Sequence, residues 1–214
     1  MDINVTKPID RSKWMTMLGI PAGGGGADLE EQFARAEGLI RTGASPRGIY
    51  RVMDVSDIRL EGFSIQKHLE GCMQAAVMAV TLGAGIDGLL RREQVRDMAS
   101  AVVIDCGASL YIEEACDIFA EVIRTETGLF TTSRFSPGYG DYPLYCQEDV
   151  LRYVDGQRKI GINITDDYLM VPRKSVTAVV GLADHPVAGR LATCGECVLK
   201  DKCTLRKEGK YCGD

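Results

Sequence analysis

The stretch Arg134-Phe135-Ser136-Pro137-Gly138-Tyr139-Gly140-Asp141-Tyr142-Pro143 concentrates residue types that recognise a small ligand. Arg134 offers a planar guanidinium that fits a carboxylate through two parallel contacts. Tyr139 and Tyr142 offer flat aromatic faces. Pro137-Gly138 suits the central pair of a type II turn, since proline presets φ and glycine accepts a positive φ. Such a turn directs main-chain N–H and C=O groups outward instead of into a ladder. The stretch reads as a cradle for a molecule with a carboxylate and a flat ring. The plain alternative is a tyrosine-bearing surface loop.

A second cluster lies at the C-terminal end. Cys194, Cys197, Cys203 and Cys212 follow the spacing Cys-x2-Cys-x5-Cys-x8-Cys. Four thiolates in one short segment suit a tetrahedral metal, either structural zinc or a redox-active 4Fe–4S cluster. The spacing is not that of a standard ferredoxin. Lys200, Asp201, Lys202, Arg206, Lys207 and Lys210 leave little apolar material there, so folding of the tail would depend on its metal. Cys72, Cys106 and Cys116 sit in apolar surroundings and read as small core residues, with Cys146 also in the body of the chain. A disulfide framework is disfavoured because the N-terminus lacks a charged-then-apolar leader pattern.

The elements that must position these residues follow from periodicity. Asp28 is placed to cap a helix over 28–41, with Leu29, Phe33, Ala36 and Ile40 on one face and Gly43 as its stop. Residues 49–58 read as a strand, 64–70 as a short helix, and 75–82 as a central strand or a buried helix. A polar break is expected at Arg91-Arg92-Glu93, followed by a long helix over 94–126. In it Ile104, Ala108, Tyr111, Ala115, Ile118 and Val122 repeat at helical spacing. Glu114 falls on or beside that apolar stripe, where a carboxylate needs a partner or a path to water. Residues 147–155 read as a helix. Strands are expected over 159–165 and 175–182, pairing as an antiparallel hairpin. Gly23-Gly24-Gly25-Gly26 lacks the lysine and hydroxyl of a P-loop and reads as a linker. His68 reads as a surface residue on a helix and His185, before Pro186, as part of a turn. No Ser–His–Asp or Cys–His arrangement stands out. The irregular element order predicts an α+β fold, with a mixed or antiparallel central sheet and long helices packed on it. Residues 1–190 would form one domain and 191–214 a metal-binding tail.

Composition narrows the function classes. The 214 residues are 45% hydrophobic and carry a net charge of −5. Without a basic excess, phosphate-driven binding to nucleic acid is not expected. No apolar run reaches the ~18 residues of a membrane helix. A soluble, cytoplasmic protein is expected.

The motif Arg134-Phe135-Ser136-Pro137-Gly138-Tyr139, followed by Pro143, resembles the Arg-x-x-Pro-Gly-Tyr loop of the activation domain of cobalamin-dependent methionine synthase. The resemblance extends through residues 160–172 (Ile-Gly-Ile-Asn-Ile-Thr-Asp-Asp-Tyr-Leu-Met-Val-Pro) to Ser175, through Asp184-His185-Pro186, and to the long helix bearing Glu114. It spans roughly residues 75–186. It implies S-adenosylmethionine as the ligand, with Arg134 on the methionyl carboxylate. The backbone of Phe135, Ser136, Pro137, Gly138 and Gly140 would meet the amino or adenine groups, Tyr139 would pack beside the ligand, and Glu114 would bond the ligand or steady Arg134. It also implies a reaction. An inactive cob(II)alamin on a partner protein is reduced, and methyl transfer from S-adenosylmethionine traps it as methylcobalamin. The implied partners are a corrinoid-binding protein or methionine synthase modules, and an electron donor such as a flavodoxin or ferredoxin. The same chemistry would serve another corrinoid methyltransferase in anaerobic one-carbon metabolism. A metal-binding ligand sensor or scaffold is the alternative from another class. This chain departs from the family where it reads Gly128, with Glu126 nearby, in place of an acidic residue shortly before the arginine. It departs again at Val187-Ala188-Gly189-Arg190, where the family carries aromatic residues. At 214 residues it is too short to hold the folate, homocysteine and cobalamin modules, so it would act as a freestanding activator.

Overall fold

In the computed structural model, residues 1–21, 24, 26–187, 189 and 201–203 are described. Gly23 and Gly25 of the glycine run, and Cys194, Cys197 and Cys212 of the tail, lie outside them. The described helices are α1 (Arg11–Met17), α2 (Ala27–Gly43), α3 (Phe63–His68), α4 (Ala84–Arg96), α5 (Met98–Thr127), α6 (Gln147–Val154) and α7 (Gly156–Ile160). The strands are β1 (Arg47–Asp54), β2 (Gln74–Thr81), β3 (Phe130–Thr131), β4 (Asn163–Ile164), β5 (Met170–Val171) and β6 (Ser175–Ala183). One sheet has the order β1-β2-β6-β3, and β4 and β5 form a separate pair. The α+β architecture is the one expected.

The chain divides into two compact units. The first comprises Met1–Ile49, Ala79–Glu121 and Gly156–Val176. The second comprises Tyr50–Met78, Val122–Asp155 and the described residues from Thr177 onward.

In the first unit, Asp10 caps α1 by accepting from the N–H groups of Ser12 and Lys13. This sets Trp14 facing inward with no exposed surface. Its indole N–H donates to the Val103 carbonyl at 2.9 Å, and its ring stacks on Phe33 of α2 at 4.7 Å between centroids. The buried residues Phe33, Ala36, Glu37 and Ile40 follow the helical repeat. Asp28 is not the cap of α2. Gly26 holds that position, and Asp28 lies in the first turn, where its charge favours the helix dipole. Glu37 is buried with partners on every side. Arg11 Nη2 lies at 2.9 Å, the Ile9 N–H donates at 3.2 Å, and Arg41 donates from Nε at 3.0 Å and from Nη2 at 2.8 Å. Burial pushes the Glu37 carboxyl up, but these donors outweigh it and hold it below its ordinary value. Arg41 also donates to the Val5 carbonyl at 2.8 Å and the Lys7 carbonyl at 2.5 Å, tying the N-terminal segment to α2.

The stretch 75–82 is a strand, not a helix, and Ala75, Ala76, Val77, Met78, Ala79 and Val80 are all fully buried. A strand with two covered faces loses alternation, which is why periodicity alone left a helix open. The break before the long helix falls at Asp97 rather than at Arg91-Arg92-Glu93, which continue α4. Asp97 Oδ1 accepts from the N–H groups of Ala99 and Ser100 and so starts α5. The expected hairpin of 159–165 with 175–182 is also corrected. Residues 156–160 are helical, and β4 pairs antiparallel with β5, in the register Asn163 to Val171 and Ile164 to Met170. No helix among the described residues is long and apolar enough to cross a membrane.

Because Trp14 fills its site completely and is also hydrogen-bonded, Trp14→Ala should cost about 3–5 kcal/mol. Urea unfolding followed by circular dichroism should show it as a lower midpoint at an unchanged slope.

Candidate ligand-binding site

The loop of residues 133–143 lies in the second unit, and its geometry is built from backbone pairings. The Phe135 N–H donates to the Val179 carbonyl at 3.0 Å, and the Val179 N–H returns to Phe135 at 2.9 Å. Phe135 is thus an isolated antiparallel bridge on β6, with its ring buried. Its N–H is committed to the sheet, so main-chain contact with a ligand through that group is not open to it. Beyond this anchor, Tyr139 N–H donates to the Ser136 carbonyl at 3.1 Å. Gly138 has φ +90°, giving the type II turn that Pro137-Gly138 predicts. Two further bonds close the loop: Tyr142 N–H to the Tyr139 carbonyl at 3.0 Å, and Gly138 N–H to the Tyr142 carbonyl at 2.8 Å.

The side chains divide into buried anchors and groups that reach the surface. Phe135, Pro137 and Tyr142 are buried. Tyr139 is 47% exposed and meets Phe135 edge-on at 6.0 Å between centroids. Arg134 is half-buried, as are Ser136 and Gly140, while Gly138 is exposed. The arrangement offers an arginine and an exposed aromatic face on a turn fixed at its base. Tyr142 supports the loop from below rather than offering a face. Burial raises its phenol well above the ordinary value.

One short helix holds the loop at both ends. At the N-terminus of α3, the Asp141 carboxylate accepts from the Phe63 N–H and the Ser64 N–H, each at 2.8 Å. The cap residue Gly62 has no side chain to do this, and its φ is +108°. A Cβ there would lie 2.6 Å from the Asp141 carbonyl oxygen, so only glycine admits the loop. At the last residue of α3, His68 is 1% exposed, which corrects the surface position expected for it. Its Nε2 lies 2.8 Å from the Ser133 carbonyl and 3.0 Å from Thr132 Oγ1. Its ring packs on Phe135 at 4.9 Å. A lone histidine at the end of a six-residue helix carries no periodic signal, so its burial was not legible. Asp141 is a strong capping residue, but the helix it caps lies 77 residues away, so that role was not legible either.

Beside the loop, Arg59 pairs with Glu61 and, at 3.3 Å, with Asp149. Tyr145 donates to Glu61. That hydrogen bond first, and Arg59 second, hold the Glu61 carboxyl below its ordinary range.

Glu114 belongs to the first unit. Lys7 Nζ lies 3.0 Å from Glu114 Oε1. The contact is an ion pair outside hydrogen-bond geometry, since the same buried oxygen has no hydrogen-bond partner. The carboxylate therefore has the partner its place beside the apolar stripe required. Cys72, Cys116 and Cys146 are buried and Cys106 is half-buried, all as free thiols. Burial raises the thiols of Cys72, Cys106 and Cys146. Cys72 and Cys116 lie in the core as expected, whereas Cys106 is only partly covered. Of the four tail cysteines only Cys203 is described. Among the described residues no group of three or more His, Cys, Asp or Glu side chains is placed to hold a metal.

Asp141 gives a test of the loop's anchoring. Burial works to raise its carboxyl, but the Ser64 and Phe63 N–H groups prevail and hold it below its ordinary value. The stabilisation is therefore complete above the unfolded value of about 3.9 and is lost as pH falls through the lower folded value. Asp141→Ala should lower stability by about 0.5–2 kcal/mol at pH 7. The gap between variant and wild type should close as denaturation is repeated towards pH 2.

No protein-family model and no curated protein matches the chain. A crystal structure of the MetH reactivation domain bound to AdoHcy does match. It aligns with 92% of this chain and 77% of its own, at 16% identity and a TM-score of 0.61. The chain therefore has the fold of the MetH reactivation domain, in agreement with what the Arg134 loop's resemblance implied.

Proposed function

We propose that this protein binds S-adenosylmethionine at the loop of residues 133–143 and presents it to a corrinoid on a separate protein, as the activating component of a reductive methylation. The observation that carries the reading is the turn itself. An arginine and an exposed tyrosine flank a type II turn whose base is bonded to β6 and whose far end is bonded to α3. The fold supports it, since a structural relative of the same fold was solved with AdoHcy. In this reading Arg134 receives the methionyl carboxylate in a charge-assisted pair. Tyr139 lies against the ligand, and Ser136, Pro137, Gly138 and Gly140 shape the rim. Phe135 is the buried anchor.

The chemistry is coupled. One electron from a donor of the flavodoxin or ferredoxin kind takes cob(II)alamin to cob(I)alamin. The sulfonium methyl then moves to cobalt, leaving S-adenosylhomocysteine. The favourable transfer draws the unfavourable reduction forward. The protein's share is to hold the methyl in line with cobalt. Residues 1–190 form the binding domain. The tail of 191–214 holds a 4Fe–4S cluster through Cys194, Cys197, Cys203 and Cys212, with structural zinc as the competing occupant. The corrinoid partner is a set of methionine synthase modules or another corrinoid methyltransferase.

Titration calorimetry should show S-adenosylmethionine binding. Arg134→Ala should weaken it at least 30-fold, about 2 kcal/mol for a hydrogen bond to a charged group. Unchanged affinity in the variant would remove the assignment. Anaerobic purification should return a brown protein with iron and sulfide near four each per chain. A colourless protein holding one zinc would remove the electron relay while leaving ligand binding intact.

A further inference from the structure

His68 is absent from the ligand contacts assigned above, yet it is the polar side chain most deeply set against the loop. It lies 1% exposed at the C-terminal end of α3. Its Nε2 faces the Ser133 carbonyl at 2.8 Å, directly before Arg134. A carbonyl only accepts, so the proton sits on Nε2. Thr132 completes the arrangement. Its Oγ1 accepts from the Gly181 N–H of β6 at 2.8 Å and donates to the same Ser133 carbonyl at 2.9 Å. Two donors thus converge on one carbonyl, and the plane of the Ser133–Arg134 peptide is set by them. On the other side of Arg134, the ring of Phe135 rests on the imidazole at 4.9 Å. Gly189 lies close against the imidazole. A Cβ at that position would come within 2.5 Å of His68 Cε1 and 2.8 Å of Thr132 Cβ.

We infer that His68 is the positioning residue for Arg134: it fixes the peptide that carries the guanidinium and so preorganises the ligand loop before ligand arrives. The inference rests on the loop being the binding site. Its structural part, the ordering of residues 133–138 by the imidazole, stands without a ligand. Preorganisation is the physical gain. A loop already held in its binding geometry spends less of the interaction energy on ordering itself. The residue acts through Arg134 and touches no ligand.

Three variants separate this from a merely structural role. His68→Leu keeps the bulk and removes the donor. His68→Gln restores an N–H at about the place of Nε2. Arg134→Ala removes the group being positioned. His68→Leu should weaken S-adenosylmethionine binding about tenfold, the worth of a lost buried hydrogen bond. His68→Gln should stay within about threefold. In the Arg134→Ala background the His68→Leu effect should largely vanish, as coupled residues require. Hydrogen exchange of the ligand-free protein is read in parallel. The Phe135 amide, bonded to Val179, should exchange faster in His68→Leu and regain protection in His68→Gln. If wild type binds no S-adenosylmethionine, the functional reading fails and the exchange result decides the positioning role alone. Unchanged exchange and unchanged affinity in His68→Leu would overturn it, as would a full His68→Leu effect in the Arg134→Ala background. Should His68→Leu not fold, nitrogen NMR of the wild type decides. With two histidines in the chain the signals are separable. A neutral ring protonated on Nε2 and slow to exchange supports the role, and a ring protonated on Nδ1 refutes it.

Discussion

The six residues of α3 hold both ends of the Arg134 loop, and this double attachment is the constraint on which the loop's shape depends. An isolated helix of this length does not form in water, because nucleation costs more than so few hydrogen bonds return. Here its N-terminal N–H groups find a carboxylate in Asp141, and its last residue finds the Ser133 carbonyl through His68. The dependence runs both ways. The loop supplies the cap that the helix sequence lacks at Gly62, and the helix fixes the two places where the loop would otherwise swing. The buried rings of Phe135 and Tyr142 fill the space between these attachments. Each is worth about 1.5–3 kcal/mol through removal of apolar surface from water.

This explains how an irregular segment becomes a precise surface. The loop has too few residues between its attachments to adopt many shapes, and its own turn bonds remove most of those that remain. Closure through Gly138 and Tyr142 requires the positive φ of Gly138, and Gly140 also sits at positive φ, +56°. Side chains at either place would strain the turn that displays Arg134 and Tyr139. The first unit uses a different device to a similar end. There Glu37 gathers Arg11, Arg41 and the Ile9 N–H, and Arg41 reaches on to two carbonyls of the N-terminal segment. A buried carboxylate with that many donors holds an extended segment in place where no strand ladder does.

What was legible in the sequence follows from how local each signal is. The Pro137-Gly138 turn was readable because both residues act on their own φ angles. The long helix was readable because its apolar repeat persists over many turns. Its start was not. Arg91-Arg92-Glu93 breaks the hydrophobic pattern without breaking the backbone, whereas Asp97 breaks the backbone through its capping carboxylate. The alternation at 159–165 suggested a strand, but Gly161 adopts φ +74° and the residues before it complete α7. Asp141 and His68 were out of reach for another reason. Their partners lie 77 and 65 residues away, and no short-range rule reports such a meeting.

The separation of roles within the loop has a consequence for how substitutions should be read. Phe135, Pro137, Tyr142, Asp141 and His68 are anchors, and Arg134 and Tyr139 are the groups presented. Loss of an anchor lowers stability and lets the loop sample shapes in which the guanidinium is misplaced. Arg134 and Tyr139 reach the surface of the loop, where Tyr139 keeps an edge contact with Phe135. Arg134 is half-buried and so lies closest to the border between the classes. A planar fork loses its value when it is free to turn. The orientation of Arg134 therefore begins with the Ser133–Arg134 peptide plane, whose carbonyl faces His68 Nε2 and accepts from Thr132.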